Sequence, residues 1–395
     1  MNVSGGEFAV SDLLKLDVGA SDLTGGIAAD LRRIFCVAFW RGLVALGFAL
    51  GDVAAVAAGI QAVGVDFAID RKKGAAELVL VVIQTLTGGE RAQWRRVSSG
   101  GVGVLISPPV SAGLFEGTKA YRREDGGGIF LFRPHENAIR MQIGAQRLCM
   151  PSPSINQFLD AVKHTALSNK RWIPPPGKGS LYIRPLLIGS GPVLGLAPAS
   201  EYTFLVYASP VGNYFKEGTA PLSLYVEDEF HRATRGGAGG VKSITNYAPV
   251  LKAISRARDK GFSDVLYLDS VNKRNVEEVS SCNVFMLKGN VLSTPATHGT
   301  ILEGVTRKSI MEIARDLGYQ VEECSIPIEE LIDADEVFCT GTAVGVAPVG
   351  SITYKGNRIE YKMSTQLVSW KLYSRLVGIQ RGIVEDNKGW VVKID

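Results

Sequence analysis

One lysine, Lys242, follows a run of glycines and precedes an asparagine–tyrosine pair in the segment GGAGGVKSITNY, which begins at Gly236. Glycine lets the backbone adopt φ > 0 or approach a ligand closely, so this lysine would be presented with little side-chain cover before it. A partly desolvated amine beside cationic groups has a lowered pKa, which suits Schiff-base chemistry. By itself, however, the segment more often indicates a solvated lysine after a glycine-rich surface loop.

A phosphate-binding loop is a second interpretation of the same segment. That motif requires glycine immediately before the lysine and serine or threonine after it. Ser243 satisfies the second condition, but Val241 stands where the glycine is needed. The phosphate-loop interpretation therefore fails by one residue.

Other residues supply the remaining parts of a site for a coenzyme that withdraws electrons from carbon. Such a site needs a lysine, an acid beside a ring nitrogen, a donor at a phenolate and cations or amides at a phosphate. Residues 277–283 (EEVSSCN) precede an apolar strand and offer the acid. Arg133 ends a predicted strand, and Gly299-Thr300-Ile301 leads into a helix N-terminus, where phosphates bind well.

Composition narrows the class of protein. A chain of 395 residues with 46% hydrophobic and 21% charged residues predicts a globular protein of two domains. A net charge of +4 gives no reason to expect nucleic acid as the main partner. The five cysteines are scattered without a C-x-x-C pair and the four histidines lack metal-ligand spacing, so we expect a reducing compartment and no metal site.

The first 107 residues differ from the rest of the chain. Residues 34–65 are rich in Ala, Val, Gly and Leu, but the longest uncharged run, residues 53–65, is too short to span a bilayer. The acidic residues near the N-terminus are unlike a transit peptide, so none is readable. No alternation of turns and strands is clear in this segment. We expect no membrane partner.

From Gly113 onward the pattern predicts alternating strands and helices. Helices are expected at residues 156–170, 248–260, 303–317 and 364–379. Strands are expected at residues 129–133, 181–187, 202–208, 222–226, 265–269, 284–287, 291–294, 336–340, 351–354, 359–361 and 390–394. On the strand at 181–187, Tyr182 and Arg184 would share one face, which suits recognition of a carboxylate or an edge exposed to solvent.

A specific resemblance emerges when the motifs are taken in order. They are GLFEGTKAYR from Gly113, LFRP from Leu131, SLYIRP from Ser180, PVGNYF from Pro210, GGVK followed by NY from Gly239, EVSSCN from Glu278 and GTAV from Gly341. Together they resemble the branched-chain amino-acid aminotransferases of the plant organellar type, in class IV of the pyridoxal-phosphate enzymes. The resemblance covers residues 113–395 and implies a two-domain fold of mixed α/β (α+β) class, fold type IV.

The resemblance implies a role for each matching residue. Lys242 would hold pyridoxal phosphate and carry the proton, Glu278 would keep the ring nitrogen protonated, and Tyr247 would bond the phenolate oxygen. The other cofactor-binding residues implied are Arg133 as the phosphate arginine, Arg232, Ser281, Thr300, Ile301 and Thr342. The substrate-binding residues implied are Phe115, Tyr182, Arg184, Tyr214, Thr342, Ala343 and, reaching the partner subunit's pocket, Leu196.

The implied activity is transamination between leucine, isoleucine or valine and 2-oxoglutarate, giving branched-chain 2-oxo acids and glutamate. A homodimer in the chloroplast is expected, with mitochondrion or cytoplasm as alternatives. The domains predicted are an atypical N-terminal segment of unknown role (residues 1–107), a small α/β domain shortened relative to the family (108–213) and a large pyridoxal-phosphate domain (214–395).

Departures from the family pattern keep an alternative open. Val110 stands where the family has a pocket tyrosine, and Glu303 replaces a proline. A non-catalytic or impaired member that dimerises and binds the cofactor is therefore the competing hypothesis. A D-amino-acid aminotransferase or an aminodeoxychorismate lyase of the same fold fits the long plant-type matches less well.

Overall fold

The computed structural model describes residues 113–190, 196–212 and 221–395, together with the backbone of residues 82–87 and 93–94. Its strands, in chain order, are β1 Val82–Thr87, β2 Gln93–Trp94, β3 Gly113–Phe115, β4 Thr118–Arg122, β5 Ile129–Phe132, β6 Ser180–Ser190, β7 Glu201–Val211, β8 Leu222–Glu227, β9 Asp264–Leu268, β10 Val276–Val279, β11 Asn283–Lys288, β12 Val291–Pro295, β13 Gln320–Cys324, β14 Glu336–Gly341, β15 Gly345–Tyr354, β16 Asn357–Glu360 and β17 Val391–Lys393.

The α-helices lie between these strands and cover the sheets. They are α1 Pro134–Arg147, α2 Ile155–Ser168, α3 Val250–Asp259, α4 Val305–Asp316, α5 Ile328–Ile332 and α6 Val368–Arg381. Single 3₁₀ turns occur at Lys170–Trp172 and Ile244–Asn246. Within the part of the chain that the structure describes, no helix is both long and apolar enough to cross a bilayer.

The strands form two sheets. The first has eight strands in the described residues, in the order β17-β5-β4-β6-β7-β1-β2, with β3 also paired to β6. The second has nine, in the order β10-β9-β8-β15-β14-β11-β12-β13, with β16 beside β15. A further pairing of Glu278 with Asn283 joins β10 to β11, so six strands of the second sheet close into a ring.

Separate apolar cores support the two sheets, and one core connects them. Helices α1 and α2 cover the first sheet around residues such as Phe158 and Phe204. A second cluster combines Tyr121 and Phe132 of the first sheet with Phe285 of the second and with α4 and α6. Because burial of apolar area stabilises contacts without directionality, this shared cluster is what keeps both sheets together.

Most predicted elements are present, with boundaries shifted by a few residues. The structure adds β1 and β2, which pair at the edge of the first sheet although no strand was predicted before Gly113. Helix α1 was also not predicted, because its buried face is made of small and polar residues such as Asn137, Ala138 and Gly144 while Ile139 and Ile143 are exposed. Val110 and Tyr214 lie outside the described residues.

The predicted domain boundaries stay a prediction. Strands β3 to β7 fall within residues 108–213 and belong to the first sheet. The last strand, β17, returns to that sheet and pairs with β5, with Val392 opposite Leu131. The first sheet is therefore completed by the C-terminal end of the chain.

A buried carboxylate from strand β14 caps the N-terminus of helix α6. Glu336 on β14 is 3% exposed and accepts the backbone N–H groups of Val368 and Ser369 at 2.7 and 2.8 Å. The residue before the helix, Leu367, has no side chain that can cap these amides. A negative charge at this point also favours the helix dipole.

We predict that Glu336→Gln lowers the free energy of unfolding by about 1–3 kcal/mol, because charged hydrogen bonds to α6 are replaced by a neutral one. Urea unfolding followed by circular dichroism measures this. Glu360→Gln, on the exposed strand β16, is the matched control and should change stability by less than about 0.5 kcal/mol. Equal losses in both variants would contradict the capping role.

Candidate active site

The glycines before Lys242 pack tightly against the turn at residues 299–301. The Gly240 N–H donates to the Gly299 carbonyl at 2.8 Å. A Cβ at Gly239 would lie 2.5 Å from the Thr300 carbonyl oxygen and would also collide with Ala233. Neither glycine has a positive φ, so close approach of two backbones, rather than an unusual conformation, requires them.

The backbone of Lys242 is held by strand β3. The Phe115 N–H donates to the Lys242 carbonyl at 3.1 Å, and Leu114 forms an isolated bridge with Ser243. The first sheet therefore fixes one side of the lysine loop while the 299–301 turn fixes the other. The side chain of Lys242 leaves a backbone that is restrained on both sides.

The Lys242 amine lies in an aromatic, half-buried setting. Its Nζ is 3.4 Å from the Tyr247 hydroxyl and 4.5 Å from the centre of the Phe115 ring. The pKa of Lys242 is lowered to about 8, chiefly by burial and also by the Arg140 cation, while the Glu116 carboxylate acts to raise it. Roughly a tenth of such amines are unprotonated at pH 7, which is the form that acts as a nucleophile or base.

Glu278 lies on β10 and forms a buried ion pair. It is 2% exposed, and its Oε1 is 2.6 Å from Nη1 of Arg232. The same oxygen accepts the Leu302 N–H at 3.0 Å, and Asn283 donates to Oε2 at 3.5 Å. Burial raises the pKa of Glu278 to about 7, whereas Arg232 acts to lower it. This carboxyl group can therefore share a proton with a ring nitrogen near neutral pH.

Tyr247 connects the lysine to this ion pair. Its ring packs edge-to-face on that of Phe115, with centroids 4.9 Å apart and planes at 71°, and the Arg232 guanidinium is 5.5 Å from its centre. Burial raises the pKa of Tyr247 to about 12, so its hydroxyl remains a donor at neutral pH. Glu278, from a separate motif, is thus brought together with Arg232, Lys242 and Tyr247, which are near one another in the chain.

Arg133 is not at this site. Its guanidinium donates to Glu312 at 2.8 Å and to Ser309 at 3.1 Å on the side of α4, and it stacks on Trp390 at 4.6 Å. Arg133 has φ 45°, in the left-handed region, because strand β5 turns directly into α1. The predicted strand does end directly before Arg133, but these contacts do not support the phosphate-binding role that the resemblance implies for it.

The arginine beside the lysine is Arg140, which sequence reasoning missed. Two of its nitrogens donate to the two Glu116 carboxylate oxygens, each at 2.8 Å, and Nη1 donates to the Glu303 carbonyl at 3.0 Å. Asn137 also donates to Glu116 at 2.7 Å. Arg140 therefore lies next to the loop that connects the 299–301 turn with helix α4.

The remaining predicted residues fall into three groups. Thr300 and Ile301 are buried in the turn beside the glycines. Phe115, Tyr182 and Arg184 form one cluster on the first sheet, where Arg184 donates to the Tyr182 hydroxyl at 3.2 Å and its guanidinium lies 4.9 Å from the Phe115 ring. Ser281 is exposed in the β10–β11 turn, and Leu196 is 95% exposed.

Thr342 and Ala343 form the tip of the β14–β15 hairpin. Gly341 pairs with Gly345 across the hairpin, which leaves a three-residue turn. This turn borders a cleft that Lys119 and Tyr373 also line. Lys119 donates to the Ala343 carbonyl at 3.0 Å. In the described part of the chain, no cluster of His, Cys, Asp and Glu is suited to a metal ion.

Comparison with known proteins shows the family to which this chain belongs. The family model of amino-transferase class IV matches residues 113–352. The chain belongs to the class IV aminotransferases. The mixed α/β fold class and the resemblance drawn from the motifs are thereby confirmed, and pyridoxal phosphate is the cofactor of this class.

Plant relatives in this family are highly similar to the chain. A protein named branched-chain-amino-acid aminotransferase 2, chloroplastic, from Arabidopsis thaliana is 70% identical over 71% of this chain and 72% of its own length. Branched-chain amino acid aminotransferase 1, mitochondrial, from Humulus lupulus is 68% identical over 72% of each. Among solved structures, the Escherichia coli branched-chain amino acid aminotransferase has a TM-score of 0.63 and 26% identity, covering 80% of this chain and 99% of that one.

The residues around Lys242 fit pyridoxal phosphate. The cofactor requires an amine, an acid for its ring nitrogen, a donor for its phenolate oxygen and positive groups for its phosphate. Lys242, Glu278 and Tyr247 would supply the first three, and they lie near one another. Arg140 and the turn at residues 299–301 would supply the phosphate end.

We predict that Arg140→Met raises the pKa of Lys242 in cofactor-free protein from about 8 towards 10.5, because a cation that disfavours the ammonium is lost. The pH dependence of acylation of Lys242 by an amine-directed reagent, followed by peptide mass spectrometry, measures this.

The double variant Glu116→Gln/Arg140→Met avoids an unpaired buried carboxylate and removes the opposing effect of Glu116. Its Lys242 pKa should lie between those of the wild type and Arg140→Met. A Lys242 pKa that stays at about 8 in both variants would exclude Arg140 as the group that acts on it.

Proposed function

We propose that this protein exchanges an amino group between leucine, isoleucine or valine and 2-oxoglutarate. The juxtaposition that carries the proposal is the Lys242 amine at 3.4 Å from the Tyr247 hydroxyl, with both Arg140 and Glu278 in electrostatic reach of it. The names of relatives at 68–70% identity give the substrate class.

Each part of the cofactor has a residue that would hold it. Lys242 would hold the carbon that reacts, Glu278 the ring nitrogen and Tyr247 the phenolate oxygen. We assign the phosphate cation to Arg140 in place of Arg133, because Arg133 is bound to Glu312 and Trp390. The other residues proposed on the cofactor side are Arg232, Ser281, Thr300, Ile301 and Thr342.

When bound, pyridoxal phosphate would supply an electron sink for the substrate's α-carbon. The chain supplies the proton transfer. Lys242 removes the α-proton as a base and returns a proton as an acid, and a pKa of about 8 makes both forms accessible near neutral pH. The rings of Phe115 and Tyr247 exclude water from one side of its amine.

Substrate recognition is divided between two surfaces. The amides of the Thr342–Ala343 turn would bind the α-carboxylate that every substrate carries. Phe115 offers an apolar wall for a branched side chain, while Tyr182 and Arg184 would bind the second carboxylate of glutamate and 2-oxoglutarate. We also place Tyr214 in this pocket on the strength of the family resemblance.

We further propose a homodimer, in which Leu196 enters the partner subunit's pocket. An almost fully exposed leucine together with the exposed Ile139 and Ile143 on α1 supports a covered surface. We propose an organellar location, in the chloroplast before the mitochondrion, and the relatives whose names include these compartments support an organelle. The division into segments 1–107, 108–213 and 214–395 remains part of this proposal.

We predict that the purified protein forms glutamate from leucine and 2-oxoglutarate, measured by chromatography of the amino acids. Arg184→Met should lower kcat/KM for 2-oxoglutarate about 100-fold and for leucine by less than about threefold, because only the former needs a second carboxylate site.

Two results would contradict the proposed activity. A protein that binds pyridoxal phosphate yet leaves its absorbance unchanged in saturating leucine would be the non-catalytic member. A relative named methionine aminotransferase is 56% identical over 72% of this chain. A higher kcat/KM for methionine than for leucine would therefore show that the protein is a methionine aminotransferase instead.

We predict that borohydride fixes the cofactor covalently to the peptide that contains Lys242, and that Lys242→Ala abolishes this label, as detected by mass spectrometry. Lys252→Ala, an exposed lysine ten residues further along the chain, should leave it intact. Labelling of the same peptide in Lys242→Ala would show that the assigned lysine is wrong.

A further inference from the structure

Lys119 forms a long-range contact that the assignments above do not use. It lies on β4, directly opposite Tyr182 of β6 in the first sheet. Its ammonium donates at 3.0 Å to the carbonyl of Ala343, which is 224 residues away at the tip of the β14–β15 hairpin. Burial lowers the pKa of Lys119 to about 8, so the group is mainly protonated at pH 7.

The position of the accepting carbonyl determines what this bond can control. The hairpin turn contains only Thr342, Ala343 and Val344 between the paired residues Gly341 and Gly345. A peptide group is planar and trans, so fixing the Ala343 carbonyl also fixes the direction of the Val344 N–H on the same peptide. It also limits rotation of the adjoining peptide, which carries the Ala343 N–H. The Lys119 ammonium therefore restrains the 342–344 turn, whose backbone could otherwise adopt several conformations.

We propose that Lys119 is a positioning residue for the α-carboxylate of every substrate. It would hold the Thr342–Ala343 turn with its amides towards the substrate. The inference rests on the proposed function, in which the Thr342–Ala343 turn binds the substrate's α-carboxylate.

Loss of Arg184 is expected to have a different effect from loss of Lys119. The roles of the two residues can therefore be separated by experiment. Arg184 lies on the first sheet against Tyr182 and Phe115, where the substrate side chain would lie. Its loss should affect dicarboxylic ligands more than monocarboxylic ones. Loss of Lys119 should weaken both classes equally, because both carry the carboxylate that the turn would bind.

The test uses the holoenzyme and two unreactive probes, 4-methylvalerate with one carboxylate and glutarate with two. In Lys119→Met we expect Kd for both probes to rise about tenfold by titration calorimetry, which corresponds to the loss of one charged hydrogen bond. KM for leucine and for 2-oxoglutarate should rise by the same factor, with kcat changed less than about twofold.

Matched variants complete the experiment. Lys119→Arg keeps a charged donor and should retain most of the affinity. Lys288→Met removes an exposed lysine that pairs with Asp333 and should change neither Kd nor KM. If Lys119→Met does not fold, Lys119→Gln replaces it, with a loss of affinity for both probes still expected.

Three outcomes would overturn the inference. They are unchanged Kd values in Lys119→Met, a loss confined to glutarate, or an equal loss in Lys288→Met. Probe binding needs no turnover, so the Kd values test the positioning role of Lys119 even if the protein does not transaminate leucine. If the wild type does not transaminate leucine but Lys119→Met loses affinity for both probes, the proposed function fails and the role of Lys119 stands.

Discussion

The site depends on keeping charged groups ionised in a place from which much of the water is excluded. Glu116 and Arg140 form one buried pair near Lys242, and Glu278 and Arg232 form another. An isolated buried charge costs several kcal/mol, whereas a paired and hydrogen-bonded one is tolerated. The pairs therefore let a lysine with a lowered pKa coexist with a carboxyl group with a raised one.

These pairs also determine how the sheets must be arranged. Glu116 follows β3 of the first sheet, whereas Glu278 lies on β10 at the closure of the second. Lys242 itself is hydrogen-bonded to β3 through its carbonyl and followed by Tyr247, which packs on Phe115. The reactive amine thus lies where the two sheets meet, and the apolar cluster shared by both sheets keeps them in place.

Local signals in the sequence were sufficient for many elements. Gly289 in the β11–β12 hairpin and Gly382 after α6 both have positive φ, a conformation that glycine adopts readily. Strand β10 was not predicted, since its sequence, VEEV, has two adjacent glutamates. Both are buried, since Glu278 pairs with Arg232 and Glu277 lies near Thr300.

The sequence by itself determined which residue types the site contains, since Lys242, Tyr247 and Glu278 occur in ordered motifs whose chemistry is recognisable. Only the tertiary structure decided which arginine accompanies them. Arg133 and Arg140 are seven residues apart, but the left-handed turn at Arg133 directs it to α4, while two turns of α1 carry Arg140 to Glu116. The Lys119–Ala343 bond was equally invisible in the sequence, because contacts between residues more than 200 positions apart depend on the packing of the two sheets.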